Sequence, residues 1–230
     1  MTVLLDKTQR YNPLDSWFYD TFISDAVRDM TPTLFQDIIA EIDDQAEVLD
    51  VGCGGGQLAV GLAAAGPRLR LTGIDLAPQQ VRRARRRGAV LGNRIGFRQG
   101  SAMDLPFADD AFDAVVSSGS IKHWPDQRLG LTEMLRVLRP GGLLLIIEAD
   151  RGCTFDDARV FVDRWKLPRP IARMCLPFFR TYIAGYGIDL DDGRGLLTDL
   201  PLTGATVERI TGEPGIRITA RKQTAPTLVQ

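Results

Sequence analysis

Residues 48–56 read VLDVGCGGG. An apolar run typical of a buried strand ends here in a loop of nearly pure glycine, and a carboxylate, Asp50, lies two residues before the first glycine. Glycine lets the backbone turn through positive φ without strain and approach a ligand closely. A strand, such a loop and a following helix form the nucleotide-binding unit of doubly wound α/β folds. The stretch therefore predicts an α/β fold with a nucleotide site.

The position of Asp50 indicates which nucleotide the loop suits. A dinucleotide would place its pyrophosphate over this turn, where the carboxylate would repel it. The dinucleotide pattern G-x-G-x-x-G also requires a glycine at position 57, where this chain has Gln57. A ligand with positive charge near the loop fits better. S-adenosylmethionine, which carries an ammonium and a sulfonium, is such a ligand.

The composition is that of an ordinary globular chain. Its 230 residues suffice for one domain with its own core. A net charge of −1 indicates neither a nucleic-acid partner nor a membrane surface, and the longest apolar run, Leu143–Ile147, is too short to span a bilayer. The N-terminus has no basic region leading into an apolar stretch, and the three cysteines are widely spaced. We therefore expect a cytoplasmic protein without disulfides.

Strand-like runs alternate with helical stretches along most of the chain. The predicted strands are Glu47–Val51, Arg70–Asp75, Ile95–Gln99, Phe112–Ser117 and Leu143–Glu148, and the predicted helices are Gln57–Ala65, Pro78–Leu91 and Arg128–Leu138. Such alternation implies βαβ units and a parallel sheet with helices on both faces. Two later runs, Ala205–Ile210 and Ile216–Lys222, predict an antiparallel hairpin at the sheet edge. The total is seven strands.

Two aromatic-rich segments interrupt this alternation. Residues 1–45 precede the first strand, and residues 150–204 separate the fifth and sixth strands. Within a single domain, residues 1–230, we expect the first to form a helical cover. We expect the second to form a substrate lid, because long insertions in compact domains are usually functional. A local aromatic core is the competing interpretation of both segments.

The end of the second predicted strand carries a second carboxylate. Asp75 lies in the stretch GIDLA, 19 positions after Gly56. A carboxylate at about this distance from a glycine loop is placed to accept hydrogen bonds from both ribose hydroxyls of an adenosine. An Asp after a strand is also a common helix N-cap, and Asp75 fits that role in part. Its pairing with the glycine loop favours the ligand.

Two further stretches complete a family pattern. They are GSAMDLPFADDAFDAVVS, from residue 100, and EMLRVLRPGGLLLIIE, which ends at residue 148. Together with VLDVGCGGG and GIDLA, they resemble class I S-adenosylmethionine-dependent methyltransferases, of the subgroup that includes the ubiquinone/menaquinone and sterol C-methyltransferases. The resemblance covers nearly half of the chain. It implies a Rossmann-like, seven-stranded, mostly parallel sheet with an antiparallel last strand.

The resemblance also assigns cofactor-binding residues. It places Asp50, Gly52 and Gly54 around the methionine end of S-adenosylmethionine, whose product is S-adenosylhomocysteine. The remaining assigned positions are Asp75 and Leu76 for the ribose and adenine, Ala102 and Met103 for the adenine pocket, Ser117 at the end of the fourth strand, and Tyr19 over the cofactor.

One position departs from the family pattern. Ser101 stands where the family usually has an acidic residue that accepts from the adenine amino group. A hydroxyl accepts the same hydrogen bond more weakly than an ionised carboxylate.

The loop after the fourth predicted strand, SSGSIKHWPD, contains the best candidate for a general base. In this fold the loop lies beside the transferable methyl group, and His123 titrates in a useful pH range. A backbone or cofactor contact is the competing role for His123. Lys122 is interpreted as a solvated charge, and the arginine-rich stretch 82–87 as a solvated helix face. Cys53 is interpreted as a packing residue, because nothing adjacent in sequence would lower the pKa of its thiol.

The leading hypothesis is a methyltransferase that acts on a small, apolar or aromatic molecule. A protein- or RNA-directed methyltransferase is the second candidate. The sequence SSG after the fourth strand, however, is not the motif that such enzymes usually carry there. A degenerate member that binds cofactor without transfer is the third. With one histidine and no carboxylate at the end of the fourth strand, we expect no metal site. The sequence does not identify the acceptor or the oligomeric state.

Overall fold

Seven strands form one sheet in the computed structural model, which describes residues 19–23, 26 and 34–224. The strands are β1 (Glu47–Val51), β2 (Arg70–Asp75), β3 (Ile95–Gln99), β4 (Phe112–Ser118), β5 (Leu138–Ala149), β6 (Leu202–Arg209) and β7 (Gly215–Lys222). Their spatial order is β3-β2-β1-β4-β5-β7-β6. The pairs from β3 to β5 are parallel, whereas β7 runs antiparallel to both β5 and β6. The predicted fold class and the edge hairpin are confirmed.

Both faces of the sheet are buried along its central strands β1, β4 and β5, as a parallel sheet requires. Along β1, Val48 belongs to one apolar cluster and Leu49 to another on the opposite face. The helices between the strands are α1 (Leu34–Ala40), α2 (Gln57–Ala65), α3 (Pro78–Gly88) and α4 (Gln127–Val137). Side chains of α1 and α2 join the first cluster, and those of α4 join the second. Helices therefore cover both faces and leave the strand ends to carry polar groups.

Several element boundaries differ from those predicted, chiefly the start of β5, the end of α3 and the start of β6 at Leu202 rather than Ala205. Strand β5 begins at Leu138 rather than Leu143, because Leu138 pairs with Phe112 before the register shifts and pairing resumes between Ala114 and Leu143. The third helix ends at Gly88, and a 3-10 turn continues from Ala89 to Arg94. Glycine weakens a helix interior, which explains the early end.

The segment between β5 and β6 is mainly helical. Its elements are α5 (Phe155–Asp163), α6 (Arg169–Met174), α7 (Leu176–Phe178), a π-helical turn (Phe179–Ala184) and α8 (Leu190–Leu197). The rings of Phe161, Trp165 and Phe179 pack against one another, with the centroids of Phe161 and Phe179 5.0 Å apart. These rings join the cluster that includes Ile23 and Ile38, so the inner aromatics do build a local core.

The N-terminal segment is described only in part. Tyr19–Ile23 forms a π-helical turn, and the carbonyl of Phe22 accepts a hydrogen bond from the backbone N–H of Lys166, at 3.1 Å. The two aromatic-rich segments therefore contact each other. The side chain of Tyr19 lies outside the described residues. None of the helices in the described ranges has the length and apolarity needed to cross a membrane.

Candidate functional site

The glycine loop is held against the end of the neighbouring strand β2. The backbone N–H groups of Gly52 and Cys53 both donate to the carbonyl of Ile74, at 2.8 and 3.0 Å. The next free backbone donor, the N–H of Gly54, reaches the Oδ2 of Asp75 at 2.9 Å. The loop and the second carboxylate, which lie 21 positions apart in the sequence, are therefore joined directly.

Asp75 is fixed by two backbone donors. Its other oxygen, Oδ1, accepts from the N–H of Ala77 at 2.8 Å, so the residue also caps the turn into α3. Burial raises the pKa of this carboxyl above its usual value, and the two hydrogen bonds act in the opposite direction. Each carboxylate oxygen has a further lone pair, and the side chain of Leu76 beside it is 46% exposed. Asp75 can therefore accept from a ligand without giving up its backbone contacts.

Asp50 lies beneath the loop. Its side chain is 1% exposed and accepts a hydrogen bond from the backbone N–H of Ala59, in the first turn of α2. Burial, together with the charge of Asp75, raises the pKa of Asp50 to about 7. Its Oδ2 has no hydrogen-bond partner among the described residues. The carboxyl thus stabilises the helix N-terminus that follows the loop, and its contact with a ligand stays a prediction.

Two glycines of the loop have different surroundings. Gly52, with φ of +71°, faces Ser120, and a Cβ there would overlap the serine hydroxyl. The indole N–H of Trp124 donates to the same hydroxyl at 2.9 Å, so both side chains that face Gly52 belong to the segment after β4. A Cβ on Gly54, with φ of +51°, would meet no atom within 4 Å. The backbone at Gly54 therefore borders open space that a ligand can occupy.

The residues assigned to the adenine pocket form a tight turn after β3. The backbone N–H of Met103 donates to the hydroxyl of Ser101 at 3.1 Å, and Ser101 forms an isolated bridge with Asp104. Ala102 is buried, whereas Met103 is partly exposed. Ser101 therefore stabilises its own turn and keeps a second lone pair for a ligand.

Helix α4 holds the chain that follows this turn. Glu133 accepts the backbone N–H of Leu105 at 2.8 Å, and Arg136 donates to the carbonyls of Leu105 and Phe107, each at 2.8 Å. Arg136 also pairs with Glu133 and Asp109, which raises the pKa of its guanidinium above the usual value. Glu133 and Arg136, in the stretch EMLRV, thus hold the chain directly after the turn at 101–104.

Ser117 is fully buried at the end of β4. Its hydroxyl donates to the carbonyl of Val51 at 2.8 Å, so it links the ends of β4 and β1. The contact supports the same edge of the sheet as Asp50 and Asp75. Ligand binding by Ser117 stays a prediction.

His123 ends a short 3-10 turn, Ile121–His123, at the same edge. Burial lowers the pKa of its imidazole to about 4, and the nearby charge of Lys122 acts in the same direction, against a smaller effect of Glu148. The ring is therefore neutral at pH 7, but a pKa this far below neutral makes it a weaker base than an ordinary imidazole, so the expectation that His123 titrates in a useful pH range was wrong. Its neighbour is not solvated: the Nζ of Lys122 lies 2.5 Å from the Oε1 of Glu148, whose side chain is fully buried. The interpretation of Lys122 as a solvated charge was wrong.

The Lys122–Glu148 pair organises the loop that carries His123. Glu148 also accepts the backbone N–H groups of Lys122, at 3.3 Å, and of Ala149, at 2.8 Å, while Lys122 donates to the carbonyl of Gly119 at 3.2 Å. The pair was missed from the sequence. A single carboxylate in the apolar run LLLIIE was the available signal, because a buried charge requires a partner.

Neither the Cys53 thiol nor a metal-binding cluster contributes to the site among the described residues. The thiol of Cys53 is buried, and burial together with the charges of Asp50 and Asp75 raises its pKa well above the usual value, which agrees with a packing role. Within residues 19–23, 26 and 34–224, no three His, Cys, Asp or Glu side chains are grouped to hold a metal ion.

Comparison with known proteins identifies the class. A family model described as "Methyltransferase domain" matches residues 49–146, which include the glycine loop, Asp75, the turn at Ser101 and His123. Residues 49–146 are thus similar to a methyltransferase domain, and the resemblance to S-adenosylmethionine-dependent methyltransferases is confirmed.

Named relatives share this central part of the chain. A 2-methyl-6-phytyl-1,4-hydroquinone methyltransferase from Oryza sativa subsp. japonica is 40% identical over 52% of this chain and 34% of its own. A demethylmenaquinone methyltransferase from Deinococcus radiodurans is 39% identical over 44% of this chain and 42% of its own. The matched part thus spans less than half of the length of either relative.

The solved structures agree on the fold. A crystal structure of a SAM-dependent methyltransferase from Aquifex aeolicus superposes with a TM-score of 0.64 at 18% identity, and the match covers 92% of this chain and 98% of that one. At this identity the likeness extends to the fold alone.

Breaking the buried pair should destabilise the protein. We expect Glu148→Gln to lower the free energy of unfolding by about 3–5 kcal/mol, because the charge of Lys122 would stay buried without its partner. The double variant Lys122→Met/Glu148→Gln should recover part of this loss. Denaturant unfolding followed by circular dichroism measures both.

The control is Asp44→Asn, which breaks an exposed pair with Arg68. It should change the free energy of unfolding by less than about 1 kcal/mol. Equal effects of Glu148→Gln and Asp44→Asn would contradict a structural role for the buried pair.

Proposed function

We propose that this protein transfers the methyl group of S-adenosylmethionine to a small apolar or aromatic molecule. One observation carries the proposal: the backbone N–H of Gly54 donates to Asp75, beside open space at Gly54. This contact presents a glycine backbone and a carboxylate side by side, as an adenosine with a charged amino-acid tail requires.

The residues present fit this cofactor. Asp75, fixed by two backbone donors, would hold the ribose hydroxyls. Leu76 and Met103 would offer apolar contacts to the adenine, and the hydroxyl of Ser101 would accept from its amino group. The unpartnered Oδ2 of the buried Asp50 favours positive charge above the loop. A pyrophosphate would meet these same carboxylates with like charge.

When bound, S-adenosylmethionine supplies a methyl carbon that its sulfonium activates for in-line displacement. The protein then needs to orient the acceptor and exclude water. A ring nitrogen of neutral His123 would take the proton of an acceptor hydroxyl, and the Lys122–Glu148 pair would hold the turn in which His123 lies. Tyr19 would lie over the cofactor as a further contact.

The named relatives and the two aromatic-rich segments support a small apolar or aromatic acceptor. The two relatives described above are named for a hydroquinone and for a menaquinone precursor, which are aromatic or apolar ring systems. Residues 150–204, with residues 1–45, would cover the carboxyl edge of the sheet as a substrate lid, since this segment follows the carboxyl end of β5. We propose no nucleic-acid partner and a reducing, cytoplasmic setting, in accord with the free cysteines Cys53, Cys153 and Cys175.

A cofactor-binding protein without transfer activity is the second candidate. Ser101 favours it, because a hydroxyl replaces the usual carboxylate at the adenine amino group and weakens that hydrogen bond. The match of residues 49–146 to a methyltransferase-domain model favours the enzyme.

Replacing Asp75 should weaken cofactor binding. We expect Asp75→Asn to lower affinity for S-adenosylmethionine and S-adenosylhomocysteine by at least about tenfold, because the ribose hydroxyls would lose an ionised acceptor. Isothermal titration calorimetry measures both ligands.

Asp44→Asn serves again as the control, since Asp44 precedes β1 and lies at the opposite edge of the sheet. It should bind both ligands like the unaltered protein. Binding of NAD with silence for both methionine ligands would refute the cofactor assignment.

Replacing His123 should slow transfer and leave cofactor binding unchanged. We expect His123→Ala to reduce the rate by about 10²–10⁴-fold with an acceptor found in a panel of quinols and phenols. Because the pKa of His123 is about 4, the acid limb of kcat/KM should lie well below pH 6.5 and be absent in the variant. An unchanged rate in His123→Ala would remove the base.

A further inference from the structure

Exposed apolar side chains concentrate in one helical stretch of the 150–204 segment. Within the described ranges, nine large hydrophobic side chains are exposed, and four of them, Ile171, Met174, Phe178 and Tyr182, fall within twelve residues. Met174 is 80% exposed, Phe178 45% and Tyr182 44%. Scattered single hydrophobic residues are normal on protein surfaces, whereas a contiguous group marks an interaction site.

These side chains share one side of the stretch. Met174, Phe178 and Tyr182 follow one another at intervals of four, the spacing of neighbours on one helix face. The rings of Phe178 and Tyr182 lie 5.3 Å apart, centroid to centroid. The opposite side packs into the protein, with Phe179 2% exposed. We call Ile171, Met174, Phe178 and Tyr182 the aromatic face.

Basic residues are frequent in the stretch that carries the aromatic face. Residues 164–186 contain five basic residues, Arg164, Lys166, Arg169, Arg173 and Arg180, and no acidic residue, in a chain with a net charge of −1. Arg164 pairs with Glu213, and Arg173 pairs with Asp163. Lys166 and Arg169 are exposed beside the face. The overall charge, from which we expected no membrane partner, conceals this segregation.

We propose that the aromatic face docks on the surface of a lipid bilayer with anionic headgroups. A helical stretch with exposed Met, Phe and Tyr on one side and Lys and Arg beside them is suited to lie in the plane of a membrane interface. Tyrosine favours the level of the headgroups, and basic side chains are attracted to anionic lipid. An acidic protein would cover the same side chains, and failure of the protein to bind vesicles would point to it instead.

Docking would also orient the candidate site. The segment follows the carboxyl end of β5, and the glycine loop and Asp75 lie at the same edge of the sheet. Membrane contact would therefore bring that edge close to apolar molecules dissolved in the bilayer. This consequence rests on the proposed function, whereas the docking does not.

Vesicle co-sedimentation tests the docking. The full chain should bind phosphatidylcholine vesicles that contain phosphatidylglycerol at least tenfold more tightly than vesicles of phosphatidylcholine alone, and salt should weaken the binding. Met174→Ser/Phe178→Ser should reduce binding to anionic vesicles at least tenfold. Lys166→Gln/Arg169→Gln should abolish most of the preference for anionic lipid.

Matched controls come from a second basic surface, formed by α3 and the 3-10 turn that follows it. Val90→Ser removes a side chain that is 89% exposed, and Arg86→Gln removes an exposed charge there, so both should leave vesicle binding unchanged. Failure of the unaltered protein to bind, or equal losses in the controls, would overturn the proposal. A change of oligomeric state would also overturn the proposal. If the unaltered protein sediments as a dimer and the Met174→Ser/Phe178→Ser variant as a monomer, a second copy of the chain occupies the aromatic face.

All variants are also titrated with S-adenosylhomocysteine in the absence of lipid. Retained cofactor binding shows that the variants are folded. A protein that binds the cofactor but no vesicle refutes the docking alone, whereas one that binds vesicles but no cofactor refutes the proposed function alone.

Discussion

The contact between the glycine loop and the end of β2 is the constraint on which the site depends. Two loop N–H groups share the carbonyl of Ile74, and a third donates to Asp75. The loop can take this position only with glycine at 52, because a Cβ there would overlap the hydroxyl of Ser120. Because Asp75 also caps the turn into α3, one carboxylate fixes the relative positions of β1, β2 and the helix that follows. A ligand at Gly54 therefore meets a preorganised acceptor.

Polar burial is concentrated at the same edge of the sheet. The described part of the chain has five buried polar or charged side chains: Asp50, Gln80, Ser117, Glu148 and Asp150. All but Gln80 lie at the carboxyl ends of β1, β4 and β5 or directly after them. Burying a carboxylate is costly, and the raised pKa of Asp50 reflects that cost. The centre of the sheet is otherwise apolar on both faces, as the buried residues of β1, β4 and β5 show. Polar burial therefore lowers stability at the edge of the sheet where ligands bind in this fold, as is expected of a functional site.

The sequence predicted most of the framework, because strand and helix periodicities and glycine punctuation are local signals. The bounds of β1, β2, β3 and α2 are those predicted. Interactions between distant residues were harder to foresee. Lys122 looked solvated because its partner, Glu148, lies on another strand, and the early start of β5 depends on pairing of Leu138 with Phe112. Composition did not separate the buried from the exposed aromatic side chains of residues 150–204. It also did not reveal the local excess of basic residues.

A crystal structure of the protein with S-adenosylhomocysteine tests the central claim most directly. The ribose hydroxyls should lie within about 2.5–3.0 Å of the carboxylate oxygens of Asp75, while the N–H of Gly54 keeps its contact with the same side chain. A nucleoside bound elsewhere, or a ribose with no hydrogen bond to Asp75, would contradict the claim that the contact between the glycine loop and Asp75 defines the methyl-donor site.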